Sequence, residues 1–196
     1  QHADGHSHLI ASTNPASLNY DPAFAYEIAV IVKDGLRRMY GQAAPGEDSN
    51  VFYYLTVYNE PKQQPAMPEG VEEGIVKGLY RFKEGAPASA EAPRLQLLAS
   101  GTAIHWALEA QQLLAADWGV TADVWSATSW GELRRDALEC DEALLRGEQR
   151  VPYVTQALSG APGPVLAVSD WMRAVPDQIS QWVEQDWSSL GTDGFG

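Results

Sequence analysis

Between Pro22 and Gly41 the apolar residues Phe24, Ile28, Ile31, Val32, Leu36 and Met39 recur mostly three and four apart, which predicts an amphipathic helix. Asp21 as N-cap and Pro22 at the first helical position predict its start, and Gly41 its end. Residues 50–58, Asn-Val-Phe-Tyr-Tyr-Leu-Thr-Val-Tyr, are dense in β-branched and aromatic side chains and predict a buried strand. The stretch PKQQPAMPEG carries three prolines in ten residues and predicts an irregular surface loop. Val71 to Gly78 predicts a short helix or turn, and Leu79 to Phe82 a brief strand. Then GAPASAEAP, residues 85–93, lacks any large apolar side chain, which predicts a linker between a first unit, 1–84, and a second, 94–196.

The second unit is more regular. Residues 94–99 predict a strand, Ser100-Gly101 a turn, and Thr102 the cap of a helix running to Trp118 and stopped by Gly119. A strand at 122–127, a helix at 129–145, a strand at 164–168, a helix at 172–183 and a strand at 187–191 follow. Strands alternating with helices at this spacing define an α/β fold, a mostly parallel sheet with helices on both faces.

Composition narrows the function classes. The net charge is −13, from 26 acidic and 13 basic residues, and a surface of that sign repels nucleic-acid phosphates and anionic lipid. No apolar run approaches the roughly 20 residues that span a bilayer. The single cysteine, Cys140, has no partner within the chain for a disulfide and fits a reducing, cytoplasmic compartment; on its helix it reads as a small packing residue. The pairs Arg37-Arg38 and Arg134-Arg135 fall on helical patterns as solvated faces. The chain starts at Gln1 without an initiator Met and stops on LGTDGFG, which predicts a segment of a longer polypeptide.

Three of the four histidines, His2, His6 and His8, lie in the first eight residues, QHADGHSH, with Asp4 among them. These donors suit zinc, although metal sites usually draw ligands from separate elements or from i, i+4 helix positions, and no second cluster follows. They equally suit an active-site loop. Imidazoles shuttle protons near neutral pH, and Asp4 can orient a ring by accepting its N–H. An expression tag fits less well, because other residues interrupt the histidines. Ser100-Gly101-Thr102 offers backbone N–H groups but lacks nucleotide-loop spacing and reads as an ordinary strand-to-helix turn. His105 reads as a packed or surface residue, and the tryptophans as core and interface mass.

Several stretches together resemble one family. QHADGHSH, YDPAFAYEIAVIVKDGLRRMYG, PAMPEGVEEGIVKGLY, DVWSATSWGELRRD, RVPYV and LGTDGFG, spread from first residue to last, resemble the large homodimeric type of pyruvate dehydrogenase. That family is the thiamine diphosphate-dependent decarboxylating component of the pyruvate dehydrogenase complex, an oxidoreductase between glycolysis and acetyl-CoA. The resemblance implies a transketolase-like subunit of three α/β domains. Residues 1–84 would be the tail of the pyrimidine-binding middle domain and 94–196 most of the C-terminal domain.

The resemblance also implies that QHADGHSH is the active-site histidine loop, in which the substrate-contacting histidine matches His2. Transketolases carry a related DG-x-[ST]-H loop, onto which Asp4, Gly5, Ser7 and His8 fall. The two comparisons favour different histidines; on the first, His2 is expected to meet substrate and handle protons, with His6 and His8 in support and Asp4 as an orienting carboxylate. The implied reaction decarboxylates pyruvate and acetylates the lipoyl group of dihydrolipoamide acetyltransferase, with the cofactor as electron sink. Thiamine diphosphate and Mg2+ are expected to bind mainly outside this segment. The Gly-Asp-Gly motif and its distant Asn are missing, and so is the activating glutamate; Thr192-Asp193-Gly194 is not that motif. The segment alone is therefore expected to be inactive. Two readings from other classes are a metal-binding α/β module built on His2, His6 and His8, and a dimer-stabilising platform of exposed Trp and Val.

Overall fold

The computed structural model describes residues 4–86 and 92–194. His2 and residues 87–91 of the expected linker lie outside the described residues. The elements run α1 (Ser7–Ser12), β1 (Ser17–Tyr20), α2 (Ala25–Tyr40), β2 (Phe52–Leu55), α3 (Glu72–Lys77), β3 (Tyr80–Lys83), β4 (Arg94–Ala99), α4 (Ala103–Trp118) and β5 (Thr121–Ser126). They continue with α5 (Trp130–Leu145), α6 (Tyr153–Leu158), β6 (Val165–Val168), a 3-10 helix (Pro176–Trp182) and β7 (Trp187–Leu190).

Five strands form one sheet in the order β3-β5-β4-β6-β7. All neighbours are parallel except β3 with β5, so the α/β architecture expected from the alternation is the one observed. β3 precedes residues 85–93 yet is already part of this sheet. Alternation along each strand sends side chains to two cores. Leu98, Trp125, Val165 and Ala167 meet α5, α6 and the 3-10 helix through Trp130, Leu133, Val154 and Ile179. Leu97, Ala99, Val124 and Leu166 face the opposite way onto Ile104 and Ala107 of α4. A third core gathers Leu18, Tyr20, Ile31 and Ile75 between α2, α3 and the short parallel pair β1-β2.

Three expectations need correction. The buried strand expected over 50–58 is the shorter β2, none of whose residues is buried and whose Phe52 is 48% exposed. Asp21 does not cap α2, whose helical residues begin at Ala25. Its carboxylate is engaged by four side-chain donors described below, and Glu27 caps instead: its Oε2 accepts from the amides of Ala23 (2.5 Å) and Phe24 (3.0 Å). The helix expected over 172–183 shrinks to the 3-10 turns of 176–182, because Pro176 supplies no backbone donor there.

The other stops hold for stated reasons. Gly119 ends α4 at φ +63, where a side chain would strain the backbone. Ser129 caps α5 by accepting from the Glu132 amide at 2.9 Å and donating to the Asn19 carbonyl at 2.5 Å, which also ties α5 to β1.

Candidate active site

The parallel strands converge by their C-terminal ends. Asp21 follows β1, Thr56 follows β2, Ser100 follows β4, and Trp171 lies three residues past β6. In open α/β sheets ligand sites gather at such ends, above all where the chain reverses its direction of winding. Here the reversal falls at β4, since β5 lies on one side of it and β6 on the other. The crevice is filled by the chain's own Asp21.

Asp21 is 1% exposed. Its Oδ1 accepts from Thr56 Oγ1 (2.6 Å) and the Tyr58 hydroxyl (2.8 Å). Its Oδ2 accepts from Ser100 Oγ (2.8 Å) and Trp171 Nε1 (2.9 Å). Four donors on one carboxylate replace the water it loses on burial. Burial, and next the charge of Asp21, push the Tyr58 phenol far above its ordinary range, so it stays a donor. The Ser100-Gly101-Thr102 turn is part of this arrangement, because the Gly101 amide donates to the Asp21 carbonyl at 3.0 Å. Only glycine fits there: φ is +51, and a Cβ would collide with the Tyr58 hydroxyl.

The histidine loop sits beside this hub. His8, on α1, is buried; its Nε2 lies 3.1 Å from Thr56 Oγ1, and its ring meets Trp171 edge-on with centroids 4.5 Å apart. Tyr54 contacts the same ring at 5.3 Å. Burial lowers the imidazole's proton affinity, against the opposite pull of Asp21 and Asp4, so the ring is neutral at physiological pH. The Met172 amide donates to the Gly5 carbonyl at 2.9 Å, which fastens the loop to the segment after β6.

Asp4 accepts from the amides of His6 and Ser7 at 3.1 Å each and from the Ser7 hydroxyl. Partial burial raises its carboxyl pKa, but these hydrogen bonds outweigh it and the net shift is downward. The Nδ1 of the half-exposed His6 lies 3.9 Å from its Oδ1, beyond hydrogen-bond range. His6 and His8 thus have different surroundings, one by Asp4 near solvent and one inside. His105 packs edge-on against Phe24 at 6.0 Å, remote from the loop in sequence and partners. Trp125, Trp130 and Trp171 are buried, whereas Trp118 is 77% exposed.

No three His, Cys, Asp or Glu side chains among the described residues converge to hold a metal ion. What the arrangement does offer is a neutral imidazole in a fixed orientation, suited to accept or donate one proton.

Sequence reading missed Asp21, Thr56, Tyr58, Ser100 and Trp171. Only Ser100 carried a positional signal, a hydroxyl side chain immediately after the strand predicted over 94–99, at the end of the sheet where sites form.

Comparison with known proteins agrees with this geometry at two levels. Solved transketolases share the fold: one from Pichia stipitis superposes with a TM-score of 0.62 at 18% identity, over all of this chain and 23% of its own. One from Leishmania mexicana does so with a TM-score of 0.61 at 14% identity, again over all of this chain and 23% of its own. The family then follows from sequence. Residues 78–196 match the transketolase-like TK C-terminal domain, and the chain belongs to that family. Residues 1–65 match the pyruvate dehydrogenase E1 component middle domain.

The pyruvate dehydrogenase E1 component of Mycolicibacterium smegmatis is 56% identical over the whole chain, that of Mycobacterium tuberculosis also 56%, and that of Escherichia coli 45%. The chain spans about a fifth of the length of these relatives, 21% of the first two and 22% of the third.

Proposed function

We propose that these 196 residues are part of a longer, homodimeric, thiamine diphosphate-dependent pyruvate dehydrogenase of the cytoplasm. That enzyme decarboxylates pyruvate and passes the acetyl group to the lipoyl group of dihydrolipoamide acetyltransferase. The first part of the chain is the tail of the pyrimidine-binding middle domain. The last part is the C-terminal domain, with β3 counted to it by its pairing with β5. Thiamine diphosphate and Mg2+ are held mainly by parts of the enzyme outside these residues.

Within this enzyme the chain contributes the histidine loop. His2 meets the substrate, His6 and His8 support proton handling, and Asp4 shapes the turn by holding the amides of His6 and Ser7. The observation that carries the reading is the joint presence of E1-like sequence along the whole chain and a buried, hydrogen-bonded imidazole at the sheet's C-terminal edge. A metal-binding module is not favoured, since His6 lies half-exposed beside Asp4 while His8 is buried against Trp171 and Tyr54.

The test is His2→Ala and His8→Ala in the full-length enzyme, assayed for pyruvate decarboxylation with thiamine diphosphate and Mg2+. A fall in kcat of about 100-fold or more with the fold retained is expected for groups that move protons. Unchanged turnover in both variants would overturn the assignment of the loop.

A further inference from the structure

We infer that Asp21 is a positioning residue that, through Thr56, fixes His8 as the tautomer protonated on Nε2 and leaves Nδ1 as the proton-accepting nitrogen. The effect on turnover rests on the functional reading above; the position of the proton does not.

The argument is a count of protons. Thr56 has one hydroxyl hydrogen and three polar neighbours: Asp21 Oδ1 at 2.6 Å, the Tyr20 carbonyl at 3.4 Å and His8 Nε2 at 3.1 Å. The first two only accept, so the hydrogen points away from His8 and the oxygen presents a lone pair to Nε2. A hydrogen bond at 3.1 Å then requires Nε2 to carry the hydrogen. The carboxylate is held for this task by its other donors. Tyr58 shares Oδ1, while Ser100 and Trp171 hold Oδ2. Trp171 also walls the imidazole ring edge-on, so one residue both anchors Asp21 and orients His8. Because these groups follow different strands, the tautomer depends on both halves of the chain being packed together.

Asp21→Asn makes the inference sharp. A carboxamide has one accepting atom, and Trp171 Nε1 can only donate, so the amide oxygen settles toward Trp171 and Ser100. The NH2 group then faces Thr56 and Tyr58. Thr56 becomes an acceptor there, its own hydrogen swings to His8 Nε2 at 3.1 Å in preference to the Tyr20 carbonyl at 3.4 Å, and the imidazole then carries its hydrogen on Nδ1. The substitution changes no volume, yet it inverts the tautomer.

The experiment is 15N nuclear magnetic resonance of the full-length enzyme labelled at histidine, with the His8 signals identified by their loss in His8→Gln. The expected result is protonated Nε2 in the wild type and in Thr56→Ser, which keeps the hydroxyl, and protonated Nδ1 in Asp21→Asn. In the decarboxylation assay Asp21→Asn is expected to lose about 100-fold in kcat with little change in KM. Wild-type His8 protonated on Nδ1 would overturn the inference, and that measurement suffices if Asp21→Asn does not accumulate as folded protein. Nε2 still protonated in folded Asp21→Asn would overturn it as well. An inverted tautomer with unaltered turnover would uphold the positioning role and remove His8 from the proton path, overturning the functional reading instead.

Discussion

Glu27→Gln is expected to stabilise the fold at neutral and alkaline pH, whereas Glu27→Ala is expected to damage it. Glu27 is completely buried, and none of the ion pairs among the described residues includes it. Its Oε2 takes the amides of Ala23 and Phe24, and its Oε1 takes the hydroxyls of Tyr80 and Ser126 at 2.7 Å each. It therefore joins α2 to β3 and β5 across the two parts of the chain. Burial raises its pKa despite these four donors.

Alanine leaves the two amides without an acceptor, a cost of roughly 2–6 kcal/mol at roughly 1–3 for each. Tyr80 retains Tyr26 as a partner at 2.6 Å. Glutamine keeps a partner on each heavy atom: its oxygen faces the amides, its NH2 donates to the two hydroxyl oxygens, and the Tyr80 hydrogen turns to Tyr26, so that only the Ser126 hydrogen loses its acceptor. An acid whose folded pKa is raised binds its proton more tightly when folded. Wild-type stability therefore falls by up to about 1.4 kcal/mol per pH unit above the unfolded carboxyl pKa and levels off past the folded one. Glutamine escapes this loss, so its advantage widens with pH over that window. Thermal unfolding of wild type and both variants, followed by circular dichroism at about pH 5 and about pH 8, reads the difference. A glutamine variant as damaged as the alanine variant at the higher pH, or an advantage that shrinks as pH rises, would refute the reasoning.

Gly101→Ala places a methyl group on a φ +51 backbone, against the Tyr58 hydroxyl and 2.7 Å from Asp21 Oδ2. The strain of roughly 1–2 kcal/mol and the loss of a charged hydrogen bond worth roughly 1.5–3 predict a clear fall in Tm; an unchanged Tm would contradict the packing. Ser129→Ala removes the α5 cap and the tie to Asn19, which is expected to cost about 1 kcal/mol or somewhat more by denaturant unfolding. Cys140 is buried on α5, and burial raises its thiol pKa, so a thiol-specific disulfide reagent is expected to label it only after unfolding. Labelling of the native protein at the rate of a free thiol would contradict this.

Regular elements were legible where local pattern and tertiary packing agree. The helix α2, with its apolar spacing and Gly41 stop, appears within a few residues of its expected bounds, as do β4, α4, β5 and α5. Helix α6 and strand β1 carried no usable signal. Tyr153–Leu158 is one and a half turns long, and Ser17–Tyr20 is a strand of Ser, Leu, Asn and Tyr whose polar members are buried by partners far along the chain. Asn19, for instance, accepts from Ser17 Oγ at 2.7 Å through its side chain and from Ser129 through its carbonyl.

The candidate site was legible in its histidines and hidden in its support. Asp21 followed by Pro22 reads locally as a helix start, and only the folded arrangement shows that residues 35 to 150 positions away supply its donors. Ser100 looked like an ordinary turn residue because its partner comes from the other part of the chain.

The most direct test of the functional reading is release of carbon dioxide from carboxyl-labelled pyruvate by the purified full-length protein, with thiamine diphosphate and Mg2+ added or withheld. Release that requires the cofactor and falls with His2→Ala is the expected result. Failure to release carbon dioxide from pyruvate, with another 2-oxo acid turned over in its place or none at all, would contradict it.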